Sequence, residues 1–168
     1  GDTLDIVVGH GQMAELEIIA SNTSITADQL VYLNTTRIDV RGNRLPVSLP
    51  AQNWTSIADG TIQEGAPAIW SPTLRGNKVL EARYETILQT IEIQVSQGEM
   101  IGLVMVVDST DVNSELFEIT ADDQIYANVK AIDQKGNRWS VTANWSIDHS
   151  TWDDQNVLSQ TTAEETIF

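Results

Sequence analysis

The sequence contains no cysteine. Disulfides, thiolate metal ligands and a cysteine nucleophile are therefore excluded, while the redox compartment is left open. Basic residues are scarce: 9 lysines and arginines stand against 24 aspartates and glutamates, a formal net charge of −15. That field repels phosphate backbones and anionic lipid, which argues against nucleic-acid partners and against a membrane surface. No run is apolar for long enough to insert into a bilayer as a helix; the best, Ile101 to Val107, is far too short. The opening Gly1-Asp2-Thr3 does not follow the pattern of a secretory leader. Histidine occurs twice, at His10 and His149, and both read as solvated loop residues. There is no Gly-x-Ser-x-Gly elbow and no phosphate loop. Carboxylate pairs such as Asp153-Asp154 carry little information in so acidic a chain. No enzyme activity and no organic cofactor are expected.

What the chain does have is an internal repeat. Asp39-Val40-Arg41-Gly42-Asn43-Arg44 returns as Asp133-Gln134-Lys135-Gly136-Asn137-Arg138. The lead-in Ile25-Thr26-Ala27-Asp28 returns as Ile119-Thr120-Ala121-Asp122, and Asn53-Trp54-Thr55 as Asn144-Trp145-Ser146. Gly98-Glu99-Met100 matches Gly11-Gln12-Met13 at an offset of 87 (98 minus 11), whereas Gly136 and Gly42 differ by 94. The growth falls in the polar stretch Asp108 to Glu118, which reads as an insertion between the first two strands of the second copy. At the offset of 87, Ile6-Val7-Val8-Gly9-His10-Gly11 also matches Ile93-Gln94-Val95-Ser96-Gln97-Gly98. The division that follows is residues 1–10 as the last strand of a preceding repeat, 11–97 as a complete repeat, and 98–168 as a second repeat lacking its final strands.

Each copy reads as β structure. Leu16 and Ile18 alternate with Glu15 and Glu17, the pattern of a strand with one wet face. Ile87 to Val95 alternates in the same way, and Leu4 to Val8 reads as a further strand. Pro46, Pro50 and Pro67 exclude a continuous helix between the two halves of the first copy. Gly42 suits a positive-φ turn position, and Asp39 is placed to cap the loop's backbone N–H groups. Short strands, frequent turns and no helix-period segment predict an all-β chain of tandem immunoglobulin-like β-sandwiches, the second one truncated. Trp54 and Trp145 fall where such a domain packs the tryptophan of its third strand between the sheets.

The string Ile-Thr-Ala-Asp, an alternating strand, Asp-x-x-Gly-Asn, then Trp, closed by Ile-x-Val-x-x-Gly, resembles the bacterial immunoglobulin-like (Big) repeats. The resemblance covers nearly the whole chain. It implies tandem domains of an acidic, extracellular or cell-surface protein, of the kind found in invasin- and intimin-type adhesins and in large archaeal and bacterial surface proteins. The implied function is a non-catalytic stalk or spacer in cell adhesion, with neighbouring immunoglobulin-like repeats as its first partners. The short link Ser96-Gln97-Gly98 would limit bending between units. The alternative it implies is a carbohydrate- or protein-binding module of a secreted enzyme or adhesin.

Three candidate sites accompany these readings. Asp108, Asp111, Asn113 and Glu115 supply the hard oxygen ligands that calcium takes, although the glycine of an EF-hand loop is absent. A solvated polar loop is the plainer reading, and Ca2+ is the candidate cofactor. Trp139 and Trp152 have no tryptophan counterparts in the first copy, where Leu45 stands opposite Trp139. If exposed on one face they would suit stacking against a glycan or contact with a surface protein. Leu4, Ile6 and Val8 line one side of the opening strand and are candidates for self-association by strand addition.

Overall fold

Alternation at period two becomes strands throughout. A computed structural model describes residues 4–9, 11–56, 59–108, 110–111, 124–146, 162–163 and 165–167 of the chain. Among these residues there is no α-helix; one 3-10 turn, Ala51–Asn53, is the single helical element. The chain divides into two compact units, Gly1–Ser96 and Gln97–Phe168.

The first unit is built from β1 (Met13–Ala20), β2 (Ser24–Thr26), β3 (Val31–Asp39), β4 (Arg44–Val47), β5 (Trp54–Ser56), β6 (Thr61–Gln63), β7 (Ala68–Ser71), β8 (Gly76–Tyr84) and β9 (Ile87–Ser96). One sheet has the order β1-β3-β7-β6, with β4 following β7 along the same side of β3; the other has the order β2-β9-β8-β5. All pairs are antiparallel except β2 with β9, which is parallel. This is the immunoglobulin arrangement, in which the first, second, fifth and fourth strands face the third, sixth and seventh. Here β5 is the third strand, and Trp54 opens it.

The inward residues of the two sheets meet. Leu16, Val31, Leu33, Ala68 and Trp70 from one sheet pack with Ile25, Trp54, Leu80, Ala82, Ile93 and Val95 from the other, all buried. Each fully buried aliphatic side chain contributes about 1.5–3 kcal/mol relative to exposure. Period two explains the selection: Leu16 is inside while Glu15 is exposed, and Ile93 and Val95 are inside while Gln94 is exposed. Gly60 lies under the core edge at φ +83, and a Cβ there would meet Ser71 O at 2.2 Å and Trp70 Nε1 at 2.9 Å. Only a glycine fits that approach.

The second unit holds β10 (Met100–Val107), β11 (Thr110–Asp111), β12 (Tyr126–Asp133), β13 (Arg138–Ser140), β14 (Ala143–Asn144), β15 (Thr162–Ala163) and β16 (Glu165–Ile167). Its main sheet runs β11-β10-β12-β13 with β16 also on β12, and β14 pairs β15 separately. The registers repeat those of the first unit. Met13 pairs Asp39 and Met100 pairs Asp133, each followed by a register shift, at Met13/Glu15 and Met100/Gly102. Leu45 pairs Arg37 and Trp139 pairs Ala131. Ile69 pairs Tyr32 and Ile167 pairs Tyr126.

Three differences from the sequence reading stand out. Leu4 to Val8, expected as a strand, forms none, and Leu4, Ile6, Val7 and Val8 are exposed. The physical reason is that a strand needs a neighbour for its backbone groups, and among the described residues none pairs with it. Trp145 follows β14 and is half-buried, whereas its counterpart Trp54 is buried within the sandwich. The short strands β2, β4 and β6 were not legible; β4 contains Pro46, which sits opposite Thr36.

Candidate functional site

The feature that the two units share most closely is a carboxylate. Asp39 ends β3, and its side chain turns back into the loop that follows. Its Oδ1 accepts from the amides of Arg41 and Asn43, both at 2.9 Å. Its Oδ2 accepts from the amide of Gly11 at 2.9 Å and from Asn43 Nδ2 at 2.8 Å. In the second unit Asp133 Oδ1 accepts from the amides of Lys135 at 2.9 Å and Asn137 at 2.8 Å, and Oδ2 from Gly98 at 2.8 Å and Asn137 Nδ2 at 2.9 Å. The same oxygen meets the corresponding donor each time. The loops close alike: Asp39 N donates to Asn43 O, and Asp133 N to Asn137 O. Gly42 at φ +82 and Gly136 at φ +84 supply the left-handed residue that such a loop requires.

Both carboxylates are buried. The Asn43 side chain above all, helped by the amides of Asn43, Gly11 and Arg41, outweighs desolvation and holds Asp39 well below the usual carboxylate range. For Asp133 burial pushes upward, but the amides of Gly98, Asn137 and Lys135 and the Asn137 side chain outweigh it, so this carboxyl too is lowered. A carboxylate offers about four lone-pair sites, and here four donors occupy them. Neither aspartate has capacity left for a metal ion or a substrate proton. Each is a clamp: it ties the residue just before the strand β1 or β10, Gly11 or Gly98, to a loop 28 or 35 residues later.

A third aspartate is used differently. Asp59 Oδ2 accepts from the Leu74 amide at 2.7 Å and pairs with Lys78 Nζ at 3.2 Å, and its backbone O accepts from Trp70 Nε1 at 3.3 Å. It fastens the segment before β6 to the turn between β7 and β8. Nothing in the sequence next to Asp59 shows what its carboxylate meets, since Leu74 and Lys78 lie 15 and 19 residues further on.

The sequence-derived candidates are scattered. Asp108 follows β10 at φ +46, and its Oδ1 accepts from the Tyr126 amide at 3.1 Å. Asp111 lies on β11 and binds Arg138 Nη1 with both oxygens, at 2.7 and 2.6 Å. Two of the four calcium candidates are thus already engaged within the unit, while Asn113 and Glu115 lie outside the described residues. Among the described residues no three acidic, histidine or cysteine side chains gather as a metal site. Trp139 is half-buried on β13; Trp152, His10 and His149 lie outside the described residues. A cleft bordered by Thr35, Val47 and Gly65–Pro67 has no titratable side chain in its lining.

No protein-family model and no curated protein matches the chain. Among solved structures it is similar to the Yersinia pseudotuberculosis adhesin InvE, at 14% identity and a TM-score of 0.47 over 94% of this chain and 52% of that one. It is also similar to domains 4-9 of the surface layer protein SbsC, at 16% identity and a TM-score of 0.42 over 92% of this chain and 26% of that one. The chain therefore spans 52% and 26% of the length of these two structures. Strand order and register, rather than these likenesses, define the all-β sandwich fold.

Proposed function

We propose that this chain is a non-catalytic, load-bearing segment of tandem immunoglobulin-like repeats in a large secreted or cell-surface protein, a stalk or spacer in adhesion. The observation that carries the reading is the path of the chain through the first unit. It starts at Gly11, clamped to Asp39, and leaves along β9 at Ser96. Close to that exit β9 lies parallel to β2, with Ser24, Ile25 and Thr26 beside Gln94, Val95 and Ser96. Gln94 N donates to Thr23 O at 2.8 Å, Ala27 N to Ser96 O at 3.0 Å and Ser96 Oγ to Ile25 O at 3.2 Å. A pull from Gly11 toward Ser96 drags parallel strands in opposite directions. Their hydrogen bonds must then break together, in shear, instead of one after another. A spacer under tension needs that geometry and an enzyme does not. The saturated carboxylates of both clamps and the acidic surface support the same reading.

Single-molecule pulling tests it. With handles at residues 11 and 97, the first unit is expected to resist a clearly higher force than with handles at residues 41 and 97, which load different bonds. Equal forces in the two geometries remove the basis for a spacer. Tight hits on a glycan array would instead favour the binding-module reading.

A further inference from the structure

Four Asn-x-Ser/Thr triplets occur in the chain: Asn22-Thr23-Ser24, Asn34-Thr35-Thr36, Asn53-Trp54-Thr55 and Asn144-Trp145-Ser146. With x other than proline, each meets the chemical requirement for an N-linked glycan. Serine and threonine are common, so such triplets also arise by chance, and sequence alone ranks none of them. The fold does. The nitrogen that receives the sugar is a carboxamide Nδ2, whose lone pair is delocalised into its own carbonyl. It becomes a nucleophile only when a transferase grips and twists that amide. An acceptor must therefore reach outward from a bend, with Nδ2 and the hydroxyl two residues on both accessible.

Three triplets fail this test. Asn53 Nδ2 donates to Arg83 O at 2.9 Å and Thr55 Oγ1 to Glu81 Oε1 at 3.0 Å, so both groups are engaged. Asn34 lies within β3, opposite Ile19 of β1, and Thr35 beside it faces Val47 of β4. Thr35 Oγ1 also donates to Val47 O at 2.6 Å, which holds that triplet in its ladder from the other side. Asn144 lies in β14, opposite Thr162, next to half-buried Trp145.

Asn22 differs on each count. It stands in the bend between β1 and β2, where the chain passes from one sheet to the other. Ser21, Asn22, Thr23 and Ser24 are all exposed. Asn22 Oδ1 accepts from Ser24 N at 2.9 Å, an Asx turn that swings the carboxamide toward the residue bearing the hydroxyl, while Nδ2 has no partner among the described residues. Ser21 N donates to Tyr32 O and Gln94 N to Thr23 O, both at 2.8 Å, so the bend is held out from both sheets.

We propose that Asn22 is an acceptor site for an N-linked glycan. Nδ2 attacks the anomeric carbon of a polyprenyl-phosphate-linked oligosaccharide. The new C–N bond replaces the C–O bond to the lipid phosphate, which leaves, and Nδ2 gives up one proton. The partner is a membrane-bound oligosaccharyltransferase. A glycan at Asn22 displaces no protein contact, whereas one at Asn53 would break the bond to Arg83. The inference rests on the surface reading in one respect only, that the chain must be exported past such an enzyme.

The test supplies the enzyme. The folded 168-residue chain is incubated with a polyprenyl-phosphate-linked oligosaccharide and a single-subunit transferase chosen because it modifies synthetic peptides spanning each triplet. Glycopeptide mass spectrometry locates the product. Modification at Asn34 must first break ladder bonds, so, relative to the matching peptides, Asn22 is expected to react at least about tenfold faster than any of the other three. Asn22→Gln and Ser24→Ala, both at exposed positions, should abolish modification at this site, and Ser24→Thr should keep it. An unmodified folded chain overturns the inference. So does a folded chain modified foremost at Asn34, Asn53 or Asn144, and so does a rate at Asn22 unchanged by Ser24→Ala. None of these results alters the outcome of the pulling experiment, so the acceptor site and the spacer reading fail separately.

Discussion

The amide of Gly11 lies 2.9 Å from Asp39 Oδ2 across 28 residues of sequence, and this bond ties the segment that leads into β1 to the loop after β3. A Cβ on Gly11 would sit 3.2 Å from the same oxygen, so the glycine lets the backbone come close. Gly98 and Asp133 repeat the relationship at 2.8 Å across 35 residues.

Removing the clamp should destabilise its unit. Asp133→Ala leaves Asn137, itself buried, and three backbone amides without their acceptor, and is expected to cost about 3 kcal/mol in urea unfolding of the second unit. Asp133→Asn should be nearly as severe, because an amide nitrogen would face donors where an oxygen now accepts. A loss within experimental error for both would remove the clamp from the account of stability.

The clamps make the units acid-sensitive, with a definite sign. Both carboxyls are lowered in the folded state. Their contribution is therefore complete above the unfolded value of about 3.9 and is lost as pH falls below it toward the folded values. The wild-type chain should lose stability below about pH 4 more steeply than an Asp39→Asn/Asp133→Asn chain, which has less to lose. Parallel pH profiles of the two chains in chemical denaturation would contradict this.

Two buried tryptophans should respond differently to the loss of the indole nitrogen. Trp54→Ala is expected to cost about 3–5 kcal/mol, as emptying a large core site does. Trp54 Nε1 is buried without a hydrogen-bond partner among the described residues, whereas Trp70 Nε1 donates to Asp59 O. Trp70→Phe should thus exceed Trp54→Phe by about 1 kcal/mol. Thermal and urea unfolding of the four single variants, with Trp70→Ala included, give the comparison.

Two glycines with the same φ should differ for steric reasons. At Gly42, φ +82, nothing lies within 4 Å of an added Cβ, so Gly42→Ala pays only the left-handed backbone cost of about 1–2 kcal/mol. At Gly60, φ +83, the new Cβ would meet backbone at 2.2 Å. Gly60→Ala should cost clearly more, or prevent the first unit from folding. Equal midpoints would show that the β7 end moves aside freely.

Much of this was legible one residue at a time. The Asp-x-x-Gly-Asn loop announces itself, because a capping carboxylate, a left-handed glycine and an amide side chain act within five neighbouring residues. The inward choice of Leu16, Ile93 and Val95 follows from period two. Short pieces did not announce themselves: β2 and β6 each hold 3 residues and become strands only because β9 and β7 lie alongside. Leu4 to Val8 has the composition of a strand and is none, since composition cannot provide a neighbour.

What the sequence by itself determined, then, is periodicity, turn chemistry and duplication, all of which depend on a residue and its near neighbours. The tertiary structure decided everything that requires two distant segments to meet. Only there does Asp39 acquire Gly11, Asp59 acquire Lys78 and Trp70, and Asp111 acquire Arg138. Only there does Leu103, the counterpart of a core leucine, prove exposed. Hydrogen bonding and burial at a given residue are set by what packs against it, and that partner is chosen by the whole fold.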